Sequence, residues 1–301
     1  MMGYDEAFRS VLVSSPAKLS LQAKHLVLAQ EDKQAKIFLK DIHSLILESQ
    51  QITITSALLS ALCAHNIIVL TCDDTHHING ILHPYFGHFQ QAKVAREQMR
   101  VTKQKRSILW QAIIKNKITN QAYVLAAHKK HKVAKELLAL ASGVTLGDSR
   151  NFEAVAAAAY FKALFGDNFT REQLCFANSA LNYGYAIVRA CIVRNVCISG
   201  LVPWLGIKHD NMYNSFNLCD DVIEVFRPWV DMRALELNSP AKDLALEQGD
   251  KRELIAILQA KACIDEQTYP LSRAISRYVQ SIKGALLGEQ RLAKVSFALW
   301  V

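Results

Sequence analysis

The chain has no two cysteines at C-x-x-C spacing, and its seven cysteines (Cys63, Cys72, Cys175, Cys191, Cys197, Cys219 and Cys263) sit mostly among apolar neighbours. That pattern argues against zinc fingers and against a disulfide scaffold, so reduced, buried thiols are expected. No stretch approaches the ~18 uninterrupted apolar residues of a membrane helix. The N-terminal MMGYDEAFRSVLVSS carries acids and no continuous apolar core, so it does not read as a signal peptide. A cytoplasmic chain with no membrane partner is expected. G-x-S-x-G elbows, P-loops and dinucleotide glycine fingerprints are absent, which removes the readiest hydrolase and nucleotide-binding readings. Internal repeats and low-complexity tracts are absent as well.

What is present is a hydrophobic share of 51 % over 301 residues, enough to bury a sizeable core in one or two domains. The formal net charge is +8. A basic excess on a globular chain favours a polyanionic partner through phosphate neutralisation and counterion release.

The first eighty or so residues read as short strands. RSVLVSS, HLVLAQ, AKIFLK, HSLILES and NIIVLTCDD are β-branched or leucine-rich and are separated by polar, turn-prone residues. One helix interrupts them from Thr55 to Asn66, capped by Thr55 or Ser56. The turn formers of Asp73 to Phe89, including Asn79-Gly80, Pro84 and Gly87, mark the domain boundary. From about Gln90 the pattern turns helical, with no glycine or proline from Phe89 to Ser142. Further helices are expected at about 151–165, 172–198, 214–227, 248–262 and 271–285. The expected fold is α+β: a small β-rich domain over 1–80, a linker over 81–90 and a larger all-α domain over 91–301.

Three stretches carry candidate chemistry. In DSRNFEAVAAAAYFKALFG, Ser149 or Asn151 can cap a helix on which Glu153 shares a small apolar face with Ala156, Ala157, Tyr160 and Leu164. A carboxylate on such a face needs a partner, or else it simply favours the helix N-terminus. In FNLCDDVIEVFRP, a helix is expected to end near Arg227 because Pro228 biases its predecessor away from helical geometry. Asp221 and Glu224 share one face of it, Leu218, Val222 and Val225 form an apolar stripe, and Asp220 is expected to face solvent. Those two acids repel unless a cation lies beside them; the plainer reading is a surface helix with scattered acids. His209 follows the loop SGLVPWLGIK, as a capping residue or as a ligand. Taken together, carboxylates and one imidazole without a cysteine suit Mg²⁺ or Mn²⁺ better than structural zinc. His76-His77 beside Asp73 and Asp74 is a second, weaker cluster, read more simply as a polar loop between domains.

These stretches resemble the CRISPR-associated integrase and endonuclease of spacer acquisition. SSPAKLSLQAKHLVLAQ, ITITSALLSALCAHNIIVLTCDD, LWQAIIKNKITNQAYVL, NFEAVAAAAYF, ANSALNYGYAIVRACIV, SGLVPWLGIKH and FNLCDDVIEVFRP occur in that family's order. The chain looks closest to the short integrases of single-effector (type II) systems. The resemblance implies Glu153, His209 and Glu224 as ligands of Mg²⁺ or Mn²⁺, with Asp221 supporting the site. It also implies attack by a protospacer 3′-hydroxyl on a phosphodiester at the leader–repeat boundary. The same site would run the reverse reaction, or admit water and act as a nuclease. The implied partners are double-stranded DNA, a second copy in a homodimer held through the N-terminal domain, and a small second CRISPR-associated protein bridging two dimers into a heterohexamer.

Basic clusters at Lys103, Lys105 and Arg106, and at Lys129, Lys130 and Lys132, meet phosphates or are solvated faces. Lys208 adjoins His209. Arg227 contacts phosphate or complements a helix C-terminus. Two other readings fit a basic chain with these acids: a non-catalytic nucleic-acid-binding scaffold, and a general nuclease for branched repair intermediates.

Overall fold

A computed structural model of the chain describes residues 9–31, 33–74, 78–84, 88–239 and 242–298. They fall into two compact units, Met1–Phe89 and Gln90–Val301.

The first unit holds two four-stranded sheets. Strands β1 (Arg9–Val13), β5 (Ile42–Leu47), β7 (Ile68–Cys72) and β8 (Ile78–Leu82) form one, in that order. Strands β4 (Lys33–Phe38), β3 (His25–Gln30), β2 (Ala17–Gln22) and β6 (Ile52–Ile54) form the other. Strand β5 runs parallel to β1 and β7 and is buried along nearly its whole length, which is why it is mostly apolar without strict alternation, with His43 and Ser44 its buried polar residues. Ala23 and Lys24, with φ of 45° and 65°, close the β2–β3 hairpin in two residues, the sense of turn that matches strand twist. Helix α1 (Ser56–Ala64) is capped by the Thr55 hydroxyl and buries Leu58 and Leu62 in a core with Leu19, Leu26, Ile42 and Leu45.

Sequence reading placed a turn where β8 lies. Asn79-Gly80 is instead inside a strand paired with β7, and glycine is needed there because a Cβ would meet the Thr71 hydroxyl at 2.3 Å. His76-His77 lies outside the described residues.

The second unit is helical apart from one small sheet. Its helices are α2 (Gln91–Met99), α3 (Lys103–Ala127), α4 (His131–Gly143), α5 (Phe152–Phe165), α6 (Phe176–Ile198), α7 (Asn217–Ile223), α8 (Arg227–Leu237), α9 (Gln248–Ala256) and α10 (Leu271–Leu287). Helix α3 is the scaffold, packed against α4, α5, α7 and α8, and α6 is buried on nearly every side. Strands β9 (Lys261–Ile264), β10 (Gln267–Pro270) and β11 (Val295–Phe297) add a three-stranded sheet where the sequence suggested helix and loop. Asp265 and Glu266, with φ of 51° and 62°, turn its hairpin without the usual glycine. Among the described residues no helix is long and apolar enough to cross a membrane.

The single helix expected over 214–227 is two. Pro228 does not end a helix there; it occupies the first turn of α8, where its missing N–H costs nothing. Next to it, Trp229 is 1 % exposed, stacks on Phe297 at 4.0 Å and donates its indole N–H to the Lys261 carbonyl. It therefore joins α8 to the small sheet. Trp229→Ala is expected to cost about 3–5 kcal/mol, read as a lower urea midpoint at unchanged slope.

Candidate metal and DNA site

The site begins at the start of α5. Asp148, not Ser149 or Asn151, caps this helix: its carboxylate accepts the N–H groups of Phe152 (2.9 Å) and Glu153 (3.0 Å). Asn151 supplies the left-handed bend, with φ of 54°. Glu153 is thereby held in the first turn above the buried Ala156 and Tyr160.

Its partner is Lys117 of α3. The Lys117 side chain is 7 % exposed, and its Nζ lies 2.7 Å from Glu153 Oε1 and 2.5 Å from Glu224 Oε2. Glu224, at the end of α7, also accepts Arg227 Nε at 2.7 Å on Oε1. Burial alone would push the Glu224 carboxyl up; Lys117 and Arg227 outweigh it and bring it down to about 2. Burial works against the Lys117 ammonium, but Glu224 and Glu153 hold its pKa above the usual value. So the two acids are bridged by Lys117, which is not among the residues expected at the site. The signal was there: Lys117, Asn120 and Gln121 are polar residues on the same buried stripe as Ile113, Ile114 and Ile118.

His209 is built from the other side. Asp221, fully buried on α7, accepts from Ile207 N (2.5 Å) and Lys208 N (3.1 Å) on Oδ2. On Oδ1 it accepts from His209 N (3.1 Å) and faces His209 Nδ1 at 2.8 Å. Facing a carboxylate oxygen, Nδ1 is the donor, which leaves the lone pair on Nε2. The bond to Asp221 raises the imidazole pKa, against a smaller opposing effect of burial. Gly206 must be glycine, since a Cβ would lie 2.1 Å from the His209 carbonyl. Gln98 fixes the loop through Val202 and Leu205, and Arg106 donates to the Gly206 carbonyl at 3.3 Å. Asn217 reaches the carbonyls of both Trp204 and Asn211.

Glu153 and Glu224 thus meet at Lys117, and His209 meets Asp221. Among the described residues no group of three or more His, Cys, Asp or Glu side chains is arranged to hold a metal ion. The donor set nonetheless has the right chemistry: two carboxylates and an imidazole with Nε2 available. Glu224 Oε2 is buried and has no aligned hydrogen bond, only its close ion pair.

Three expectations are corrected. The helix bearing the acids is not a surface helix; Asn217, Leu218, Cys219, Asp221, Val222 and Ile223 are all buried. Asp220 does not face solvent freely either: it pairs with Arg189 of α6, Nε to Oδ1 at 2.6 Å, and accepts from Asn214. Arg227 opens α8 instead of closing a helix, and its guanidinium lies over the Tyr185 ring at 4.5 Å. Lys208, Lys103, Lys129, Lys130 and Lys132 are exposed; Lys105 is half-buried.

Behind the site, Tyr185 donates to the fully buried Asp231. Burial pushes the Asp231 carboxyl up to about 6, against the tyrosine hydroxyls and Arg227. The folded state then holds a proton there that the unfolded chain releases near pH 4. Stability from this group is present at low pH and is lost as pH rises through about 6. Asp231→Asn should remove that slope, a difference on the order of 2 kcal/mol between pH 4 and 7, measured by urea unfolding of both proteins.

A family model described as CRISPR associated protein Cas1 matches residues 11–242. The CRISPR-associated endonuclease Cas1 of Neisseria meningitidis serogroup C (strain 8013) is 38 % identical over 280 residues, covering 93 % of this chain and 92 % of the relative. Among solved structures, a casposase bound to integration product superposes with a TM-score of 0.77 at 16 % identity, over 94 % of this chain and 92 % of that one. A chain of a Cas6-RT-Cas1–Cas2 complex gives 0.72 at 19 % identity, over 96 % of this chain and 36 % of that longer one.

Proposed function

Because the chain belongs to the Cas1 family of CRISPR-associated proteins, we propose that it is the DNA integrase and endonuclease of spacer acquisition. The observation that carries the site assignment is the Asp221 carboxylate, which fixes the His209 loop and leaves Nε2 open, one turn of helix from Glu224. Glu153, His209 and Glu224 would hold one Mg²⁺ or Mn²⁺, and Asp221 would orient His209. When bound, that ion supplies charge stabilisation and orientation at the reacting phosphodiester. Arg227 holds Glu224 in place through Oε1, and Asp148 holds the Glu153 backbone. Lys208, exposed beside His209, would meet a DNA phosphate.

Strand transfer exchanges one phosphodiester for another: the incoming 3′-hydroxyl forms the new bond, and the displaced 3′-oxygen leaves with the proton. No nucleotide triphosphate is consumed. Two ends must be inserted at a fixed separation, which a two-fold dimer provides. A dimer contact through residues 1–80 and a small second CRISPR-associated protein as partner belong to the same proposal; the structurally similar Cas6-RT-Cas1–Cas2 assembly supports the latter.

The test is transfer of a short duplex with free 3′-hydroxyls into a supercoiled plasmid carrying a CRISPR repeat, with the partner protein present. Mn²⁺-dependent, repeat-directed joining is expected, with none in EDTA. Cleavage of branched DNA at equal rate with or without a repeat, and no joining, would overturn the integrase in favour of a repair nuclease.

A further inference from the structure

Lys117 stands where the site's geometry wants a cation. Its ammonium is 2.7 Å from Glu153 and 2.5 Å from Glu224, it is almost wholly buried, and it rises from the uninterrupted 25-residue helix α3. Without a positive charge between them, these two carboxylates would repel in a poorly solvated setting. With Lys117 and Arg227 present, two acids meet two bases and the local charge balances.

A divalent ion would need the same oxygens, at about 2.0–2.1 Å for Mg²⁺. An ammonium already in contact with both leaves no room for it. We propose that Lys117 is the built-in cation of this site: it holds the Glu153–Glu224 gap in the metal-free protein, and a divalent ion binds only by displacing it. This rests on the metal-dependent reading above.

The exchange is local. Arg227 keeps Glu224 anchored through its other oxygen, so Glu224 does not have to move when the ammonium leaves. Glu153 is the more exposed acid, 28 % against 5 %, so the gap opens towards its side. The lysine stem is flexible enough to withdraw along α3. The metal-free protein stays folded because its acids are never left unpaired. Its apparent metal affinity is reduced by the fraction of molecules in which Lys117 occupies the gap.

The test compares wild type, Lys117→Gln, Lys117→Arg and His209→Ala. Mn²⁺ binding is read from the free-ion EPR signal, and melting is followed in EDTA and in Mn²⁺. Lys117→Gln keeps a donor in the gap but no charge. It should bind Mn²⁺ about tenfold more tightly than wild type. It should also melt lower in EDTA and gain more from Mn²⁺. Lys117→Arg, which keeps the charge, should bind no more tightly than wild type. Equal or weaker Mn²⁺ binding by Lys117→Gln overturns the proposal. If that variant has no cooperative melt in EDTA, recovery of one with Mn²⁺ supports it and failure to recover overturns it. Wild-type affinity in His209→Ala points elsewhere: the metal-site reading itself fails, whatever Lys117 does.

Discussion

Replacing His209 by alanine should abolish strand transfer, by on the order of 10³-fold, the scale of losing charge stabilisation at a reacting centre. The fold should survive. The imidazole side chain is 46 % exposed, and its ring sits at right angles to Trp110 with 5.8 Å between the ring centroids. Asp221 loses one hydrogen bond and keeps the three from the backbone of Ile207, Lys208 and His209. The stability change is therefore about 1 kcal/mol. DNA affinity, measured by gel shift at fixed salt, should be little changed, because phosphate contacts by lysine and arginine, which the substitution leaves in place, would supply most of it. Loss of transfer with folding and DNA binding intact separates an enzyme from a scaffold. A non-catalytic scaffold predicts the opposite result: whatever joining is seen in wild type continues in the variant.

Much of the fold was legible because the signals are local. β-branched runs such as RSVLV and HSLILE, and the glycine-free helical stretch after Phe89, follow directly from side-chain preference and periodicity. The misses have physical causes. AKLSLQ has no β-branched or aromatic residue, so β2 is weak in strand propensity; its signal lies only in the alternation of Ala17, Leu19 and Leu21 with Lys18, Ser20 and Gln22, and pairing with β3 and β6 fixes it. Gly80 sits in β8 because of Thr71 on the neighbouring strand, which no local rule reveals. Pro228 reads equally as an end and a beginning, and the short α7 before it decided the matter.

The same division holds at the site. Glu153 on its small apolar face and the Asp221–Glu224 pair raise the question of a partner locally, His209 in its loop does not, and only the family resemblance groups the four as one candidate site. Their partners were not legible, because those partners are distant in sequence. Asp220 reads as solvent-facing until Arg189, on another helix, is placed beside it. Lys117 meets its acids only where α3, α5 and the end of α7 come together. A lysine on an apolar stripe flanked by asparagine and glutamine is the one local hint, and it marks a buried cation in need of acids.

Asp221→Asn should be the more informative change, because it tests whether this residue touches the ion or only its ligand. A carboxylate has about four lone-pair positions, and Asp221 faces four donors: three backbone N–H groups and His209 Nδ1. That leaves none for an ion. An amide in its place turns one end into a donor. If the amide nitrogen takes the Oδ2 position, it faces the N–H groups of Ile207 and Lys208, and the loop is pushed off α7. If it takes the Oδ1 position, His209 must accept at Nδ1, and the proton moves to Nε2, where the lone pair was needed. Either way the loop loses about 1–3 kcal/mol, and strand transfer and Mn²⁺ affinity fall about 10–100-fold without vanishing. Glu224→Gln, by contrast, should remove Mn²⁺ binding altogether, since it takes away the carboxylate charge whose Oε2 pairs with Lys117 and which the ion would need once that ammonium is displaced. Comparing the two variants by Mn²⁺ titration and strand transfer decides the matter. Complete loss of Mn²⁺ in Asp221→Asn at wild-type melting temperature would make Asp221 a direct ligand, and an unchanged affinity would remove it from the site.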